Sequence, residues 1–471
     1  MRVPLKVLVA LPLLFGLYFF GLTTTGMLGP DEPRYAAVAR EMVDSGDWIT
    51  PRLWGEPWFE KPALLYWMSG LGFRAGLGPD LGPRLPVALL SVWFILFYFS
   101  RMRREFGEKA AWFSSVILST SAGWLAYSHI AVTEIPLATT FSASMILALP
   151  WLRSGGRRGL VIGGILLGFA VLAKGLVPLV LALPLFWVGR KRWTDLLVYC
   201  AAAAAIAAPW YVVCYSRNGW SFIDILFVQH HFGRFVSNEL KHVQPVWFYL
   251  PVLAGLLFPW TPALAALRGL DWQEERRFFL LSWFCFGLLF FSFSTNKLPG
   301  YLLPLLPALA ALIGIQLAAA PVRIVAICAL TLTALPIAAA ILPDAVADGL
   351  RQATATQIYW PASVIFALLA GLVFYVERKN FSAAFSAGSA ITAIAYLGLI
   401  AVTFPALDRI VSARYRMHSA AVGTSSLCVE EAASRDLRYG MNYYAGRELP
   451  VCPTGLESKD DILERDKGQR R

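Results

Sequence analysis

Five short stretches of this 471-residue chain hold residue types suited to acid–base and phosphate chemistry. They are Pro30-Asp31-Glu32-Pro33, then Phe59-Glu60-Lys61-Pro62, and the turn from Tyr127 through His129 to Glu134-Ile135-Pro136. Further along come His230-His231-Phe232-Gly233-Arg234 and the polar turn Ser294 to Tyr301, which contains Asn296 and Lys297. Lys61, Arg234 and Lys297 are cations able to neutralise a phosphate. Glu60 and His231 are types that can hold one divalent cation, and Asp31 or Glu134 can take a proton from an attacking hydroxyl. Each stretch alone also has a plainer explanation. Asp31 can cap a helix, Lys61 can snorkel at a membrane interface, and Glu134 at a helix start complements the helix dipole. His231 and Arg234, three apart, share a helical face. Only convergence of the five on one surface would favour chemistry.

What positions them follows from composition. Hydrophobic residues are 57% and charged residues only 15%, with a mean hydropathy of +0.58. A water-soluble domain carries about 25% charge, so the chain reads as an all-α polytopic membrane protein. Apolar runs near 3–22, 84–100, 110–128, 135–152, 159–173, 176–189, 194–215, 245–266, 278–293, 301–319, 322–342, 358–376 and 382–404 make about thirteen crossings. The net charge of +11 is carried by clusters at Arg101–Arg104, Arg153–Arg158, Arg190–Arg192, Arg268–Arg277, Arg323 and Arg378-Lys379. Each pair of clusters is separated by room for two crossings. All of them therefore fall on one side, the cytoplasm by the positive-inside rule. The charge is a topology signal and gives no reason to expect nucleic acid.

The five stretches then share the outer face, in loops 23–83, 129–134, 216–244 and 294–300. Residues 1–404 form the membrane domain, and 405–471 a small external tail. Tyr35 to Val43 has helical apolar spacing, predicting an amphipathic juxtamembrane helix in the first outer loop. Residues 1–22 read as an uncleaved anchor rather than a signal peptide, with the N-terminus cytoplasmic and the C-terminus outside. Cys428 and Cys452 both fall in the external tail, where an oxidising compartment permits a disulfide. A secondary transporter or flippase for an anionic amphipath is the alternative. It would require ionisable groups at mid-membrane and internal repeats, and neither is evident.

The run from Asp31 to Trp67, with its E-K-P motif at Glu60-Lys61-Pro62, resembles the first outer loop of the 4-amino-4-deoxy-L-arabinose lipid A transferase family. That family is related to the protein mannosyltransferases. The resemblance continues through Thr133-Glu134-Ile135-Pro136, through the H-x-x-R-F segment at His231 and Arg234, and through Asn296-Lys297-Leu298-Pro299-Gly300-Tyr301. It covers about residues 1–320. It implies a glycosyltransferase of the bacterial inner membrane that uses a polyprenyl-phosphate-linked sugar as donor and lipid A, another glycan or a protein as acceptor. It implies Asp31 as general base and Glu60 with His231 as ligands of a divalent metal. It implies Lys61, Arg234 and Tyr301 as contacts to the donor phosphate, with Glu134 as the second-loop acid. Many relatives carry Asp where Glu134 stands, and His230 replaces a commoner acid, so which histidine would face a metal stays open. Transfer would invert the anomeric centre without a covalent enzyme intermediate, in a protein acting as a monomer among membrane lipids.

Overall fold

The computed structural model describes residues 5–233, 244–349, 352–354, 358–421 and 427–452. The described chain is almost wholly helical, with one two-residue hairpin pairing Arg52-Leu53 with Glu56-Pro57. Among the described residues, eight helices are long and apolar enough to cross a bilayer: Gly78–Phe106, Glu134–Ser154, Arg190–Asn218, Glu275–Phe293, Pro299–Ala319, Val325–Ala347, Trp360–Lys379 and Phe381–Ile410. Large apolar side chains such as Phe293, Leu368 and Val402 stand exposed on their outer surfaces, where lipid replaces water as the solvent. The chain is thus an all-α polytopic membrane protein.

A ninth candidate crossing pairs Val246–Leu257 with Thr261–Gly269, bent by 104°. The expected continuous span 245–266 is therefore interrupted, at Phe258-Pro259-Trp260. One end of the pair meets Lys297 and Leu298 through Gln244 and Tyr249. The other abuts Gln316, whose Nε2 would lie 2.8 Å from a Cβ at Gly269. The pair therefore runs between the two ends of the bundle, and the bend breaks a crossing rather than returning the chain. Pro259 cannot donate to a continuous helix. The Phe258 carbonyl freed there accepts from the Ala122 N–H and the Tyr396 hydroxyl, each at 2.9 Å, as a backbone group inside a membrane must.

The remaining four expected crossings fall on Leu5–Phe19, on Glu108–Ser119 with Ala122–Ser128, on Arg157–Lys174 and on Val177–Val188. The first, second and fourth consist of helices shorter than the eight above, and the third carries Arg157, Arg158 and Lys174. Thirteen crossings are not established by these elements. Two boundaries also move. The helix expected from residue 84 begins at Gly78, and the last span continues to Ile410. Charged residues ended both apolar runs in the sequence, yet Asp80, Arg84 and Asp408 lie within the helices and pair there.

The basic turns gather at one end of the bundle. Glu105 pairs with Arg276 at 3.1 Å and Arg153 at 3.4 Å. Asp195 pairs with Arg157 at 2.6 Å, and Arg192 donates to the Trp151 carbonyl at 2.6 Å. The helix Glu134–Ser154 leads from this end to the opposite one, about 30 Å away at 1.5 Å per residue. In the middle, glycines let backbones touch. A Cβ at Gly164 would lie 2.4 Å from the Tyr199 carbonyl oxygen, and one at Gly168 would lie 2.6 Å from that of Ala203. Such small-residue contacts replace the hydrophobic drive that lipid removes.

At the far end, the expected juxtamembrane helix forms as Asp31–Ser45. It is not exposed along one face. Glu32 to Ala39 and Met42 are all buried, because the helix Leu64–Arg74 packs against it and the tail covers it. The tail helix Arg435–Ala445 is fastened by Arg40, which stacks on the Tyr443 ring at 4.2 Å, and by Tyr444, whose hydroxyl donates to Asp80 at 2.6 Å. Cys428 and Cys452 form the disulfide that closes the tail.

Candidate active site

The end away from the basic turns collects the acids and cations singled out in the loops. Asp31 is the first residue of its helix, and Pro30 rather than Asp31 occupies the cap position. One turn on, Arg34 is 3% exposed and pairs with Asp31, which is half-exposed. The same guanidinium reaches Glu60 at 2.8 Å, and Lys61 approaches the other Glu60 oxygen at 3.3 Å. The Tyr35 hydroxyl lies 3.4 Å from Glu60. Neighbours in sequence seldom face each other, yet here Glu60 and Lys61 meet. The segment Trp58 to Ala63, just before the helix Leu64–Arg74, carries them, and Phe59 meets Phe222 edge-on at 5.2 Å.

Electrostatics keeps these groups in defined states. Burial opposes the charge of Arg34, but the Glu60 and Asp31 carboxylates outweigh it and hold the guanidinium protonated above its ordinary range. Burial, reinforced by the Glu60 charge, pushes the Tyr35 and Tyr66 hydroxyls well above theirs. Both therefore remain donors. The rings of Tyr35, Trp58 and Tyr439 surround Arg34 at 5.4, 5.5 and 5.2 Å. Its Nε and the Tyr66 hydroxyl are buried without a hydrogen-bond partner among the described residues.

A second group adjoins the first. Lys174 donates to Glu134 at 2.7 Å and lies over the Tyr301 ring at 4.7 Å. Lys61 lies within electrostatic reach of Glu134. The Asn296–Tyr301 turn can press this close only because Gly300 has no side chain. A Cβ there would sit 2.6 Å from Glu134 Cγ and 2.9 Å from the Tyr127 ring. Lys297, expected to face phosphate, is instead turned to the carbonyls of Gln244 at 2.8 Å and Ser294 at 2.5 Å. It fastens the turn to the bent crossing, and burial lowers its ammonium below the usual lysine range.

The structure thus brings Asp31, Glu60, Lys61, Glu134 and Tyr301 to one end of the bundle. The side chain of His231, and Arg234, lie outside the described residues. Three further participants were not legible as such in the sequence. Lys174 had one signal, a lone cation in a turn that the charge count places away from the basic side. Arg34, one helical turn from Asp31, had only its spacing. Tyr439, which stacks on Arg34, belongs to a tail with no legible motif.

The expected metal pairing joins Glu60 to His231, whose side chain lies outside the described residues. The Glu60 carboxylate faces Arg34 and Lys61, and among the described residues no three His, Cys, Asp or Glu side chains cluster as a metal site. No step below passes through a metal ion.

Residues 3–216 match the family model for dolichyl-phosphate-mannose-protein mannosyltransferase. The chain is similar to an undecaprenyl phosphate-alpha-4-amino-4-deoxy-L-arabinose arabinosyl transferase of Pseudomonas fluorescens, with 35% identity over 66% of this chain and 60% of the relative. A protein of the same description from Pseudomonas aeruginosa is 34% identical over 64% of this chain and 57% of its own length. The chain spans about 60% of the length of the curated relatives it matches. Its fold is similar to that of ArnT from Cupriavidus metallidurans bound to undecaprenyl phosphate, with a TM-score of 0.73, 25% identity, and coverage of 98% of this chain and 88% of that one. An archaeal oligosaccharyltransferase, AglB from Archaeoglobus fulgidus, shares the fold at a TM-score of 0.52 and 14% identity, over 95% of this chain and 64% of that one.

Proposed function

Because the chain belongs to the superfamily that joins the aminoarabinose transferases to the protein mannosyltransferases, we propose that it transfers a sugar from a polyprenyl-phosphate donor to an acceptor. The observation that carries this is the buried assembly of Glu60 with Arg34 and Lys61 beside Glu134 with Lys174 and Tyr301. Buried cations grouped at one end of a membrane bundle are what a lipid-linked phosphate needs. A transporter would need ionisable groups at mid-membrane, whereas these gather at one end.

In the proposed reaction an acceptor oxygen attacks the anomeric carbon as the bond from that carbon to the donor phosphate oxygen breaks, with inversion. Negative charge grows on the departing phosphate. Lys61, Lys174 and Tyr301, with Arg234 from the following loop, stabilise it by preset charge and hydrogen bonding. The acceptor proton passes to Asp31, which is the more exposed acid and is oriented by Arg34. Glu134 stays ion-paired and positions Lys174. The acceptor is lipid A, another glycan or a protein on the outer face of the bacterial inner membrane. The chain acts as a monomer of thirteen crossings with a cytoplasmic N-terminus and an external C-terminus.

The test is transfer from a radiolabelled undecaprenyl-phosphate sugar by the full chain in reconstituted membranes. Asp31→Asn should lower turnover by about 10²-fold or more while insertion is normal. Turnover near that of the wild type removes Asp31 from the role, and movement of the donor without bond cleavage favours transport. Chelation decides the proposed cation at Glu60 and His231. Activity unchanged in EDTA leaves Glu60 to Arg34 and Lys61 alone, whereas loss restored by added metal ion assigns a ligand role.

A further inference from the structure

A cavity of about 370 Å³ lies between the surface helix, the hairpin tip and the end of the tail helix. Its walls include Arg40, Glu41, Asp44, Trp54, Arg447 and Glu448. The volume is within the range of small-molecule sites, about 300–1,000 Å³, but the lining is mostly charged. The two hairpin residues Trp54 and Gly55 both have positive φ, 58° and 88°. A two-residue turn of this kind favours Asn, Asp or Gly at its first position, and a bulky residue there is uncommon. The turn nevertheless presents an indole to the cavity. Its Nε1 is shielded from solvent and has no hydrogen-bond partner among the described residues. Glu41 accepts from the Gly55 N–H at 2.8 Å and sets the hairpin against the helix. Arg40 donates to the Tyr443 carbonyl at 3.0 Å and sets the tail wall against the same helix.

A planar aromatic face beside carboxylates and guanidinium groups is suited to a sugar ring. The indole face covers the C–H face of the ring. The carboxylates accept from vicinal hydroxyls, and a guanidinium grips paired oxygens. Arg40 and Arg447 repel a bare metal ion, and three carboxylates repel a bare phosphate. The position also separates this cavity from the donor. Ala37 on its wall lies six residues from Asp31 on one helix, about 9 Å along the axis, and Arg40, Glu41 and Asp44 lie farther along it.

We propose that this cavity, walled by the first-loop helix, Trp54 and the tail residues Arg447 and Glu448, docks a saccharide ring of the acceptor. This rests on the transfer reading above. The tail then determines which acceptor is used, since it supplies one wall.

The experiment uses the full chain in nanodiscs and two probes. One is a glucosamine disaccharide, with and without phosphate groups, followed by saturation-transfer NMR and titration. The other is undecaprenyl phosphate. The disaccharide should bind the wild type. Trp54→Ala, and separately the double variant Arg447→Ala with Glu448→Ala, should each weaken it by about tenfold or more, with undecaprenyl phosphate affinity unchanged. The double variant alters only the rim and serves if the hairpin does not tolerate loss of Trp54. No disaccharide binding, equal binding by the folded variants, or complete displacement by equimolar inorganic phosphate overturns the proposal. Failure of undecaprenyl phosphate to bind the wild type strikes the donor reading instead, and disaccharide binding still decides the cavity.

Discussion

Glu32 and Glu60 are both buried acids of the same outer loop, and both face an arginine, yet their surroundings differ. Arg84 holds the two oxygens of Glu32 at 2.7 Å each. Glu32 also accepts from the N–H groups of Leu28 at 2.7 Å and Ala131 at 2.8 Å. The same Arg84 donates to the carbonyls of Leu22, Thr25 and Gly26 at 2.6–2.8 Å. This pair satisfies itself and joins the end of the first helix, the surface helix and the 129–134 turn. Around Glu60, by contrast, several cations crowd two acids, and the Arg34 Nε and the Tyr66 hydroxyl lack partners among the described residues. Buried polar groups that close on themselves are scaffold. Those left open beside other charges keep hydrogen-bonding capacity that the scaffold has spent.

The comparison can be broken most severely at Glu32. Glu32→Ala leaves a charged, buried Arg84 and should cost about 3–5 kcal/mol, read as a lowered unfolding midpoint in detergent. An unchanged midpoint would falsify the scaffold role. Replacing both partners with apolar residues of similar size should recover only part of the loss, because the backbone groups of Leu22, Thr25, Gly26, Leu28 and Ala131 then lose their partners. Arg34→Lys, on the other side of the comparison, should disturb the midpoint far less and lower kcat/KM by about tenfold or more, because an ammonium cannot bridge Asp31 and Glu60 as a planar guanidinium does. A variant as unstable as Glu32→Ala but with normal kcat/KM would reverse the two assignments. Lys174→Ala should weaken undecaprenyl phosphate binding with little effect on acceptor KM, and unchanged donor affinity would remove Lys174 from the phosphate site.

The smallest expected effect is a pH dependence on the scaffold side. His129, in the turn joined to Glu32, is held below its ordinary pKa by burial, with the Arg84 charge acting in the same sense. Its unfolded value is about 6.5, so the unfolded chain takes up the proton first. The His129 contribution to stability is therefore complete above that pH and declines as pH falls. His129→Gln should flatten this part of the stability profile, and an unaltered profile would locate the titration elsewhere.

Part of this was legible in the residues. Asp31, the Glu60-Lys61 pair, Glu134 and Tyr301 announced themselves as polar groups in outer loops of an apolar chain, and they do converge. The roles of Glu32, Arg84 and Lys297 were not legible. Glu32 adjoins Asp31 and differs from it only by about 100° around the helix. Nothing local says which of the two meets an arginine 52 residues away. Lys297 resembles a phosphate ligand in its motif, but the Gln244 carbonyl, 53 residues away in sequence, takes its ammonium at 2.8 Å. Lys174 reads as the end of an apolar run until Glu134 is found opposite.

The sequence by itself determined the solvent of this protein, its helical class and the end of the bundle on which its loop acids gather. Low charge content and the alternation of basic turns are properties of single segments facing lipid or water, so they can be read without neighbours. The tertiary structure alone decided which carboxylate is a lock and which belongs to the site, that a lysine from the 174–175 turn joins Glu134, and that the tail closes over Arg34. Those outcomes depend on pairings between distant segments, and in a buried polar network the partner rather than the residue sets whether a charge is satisfied.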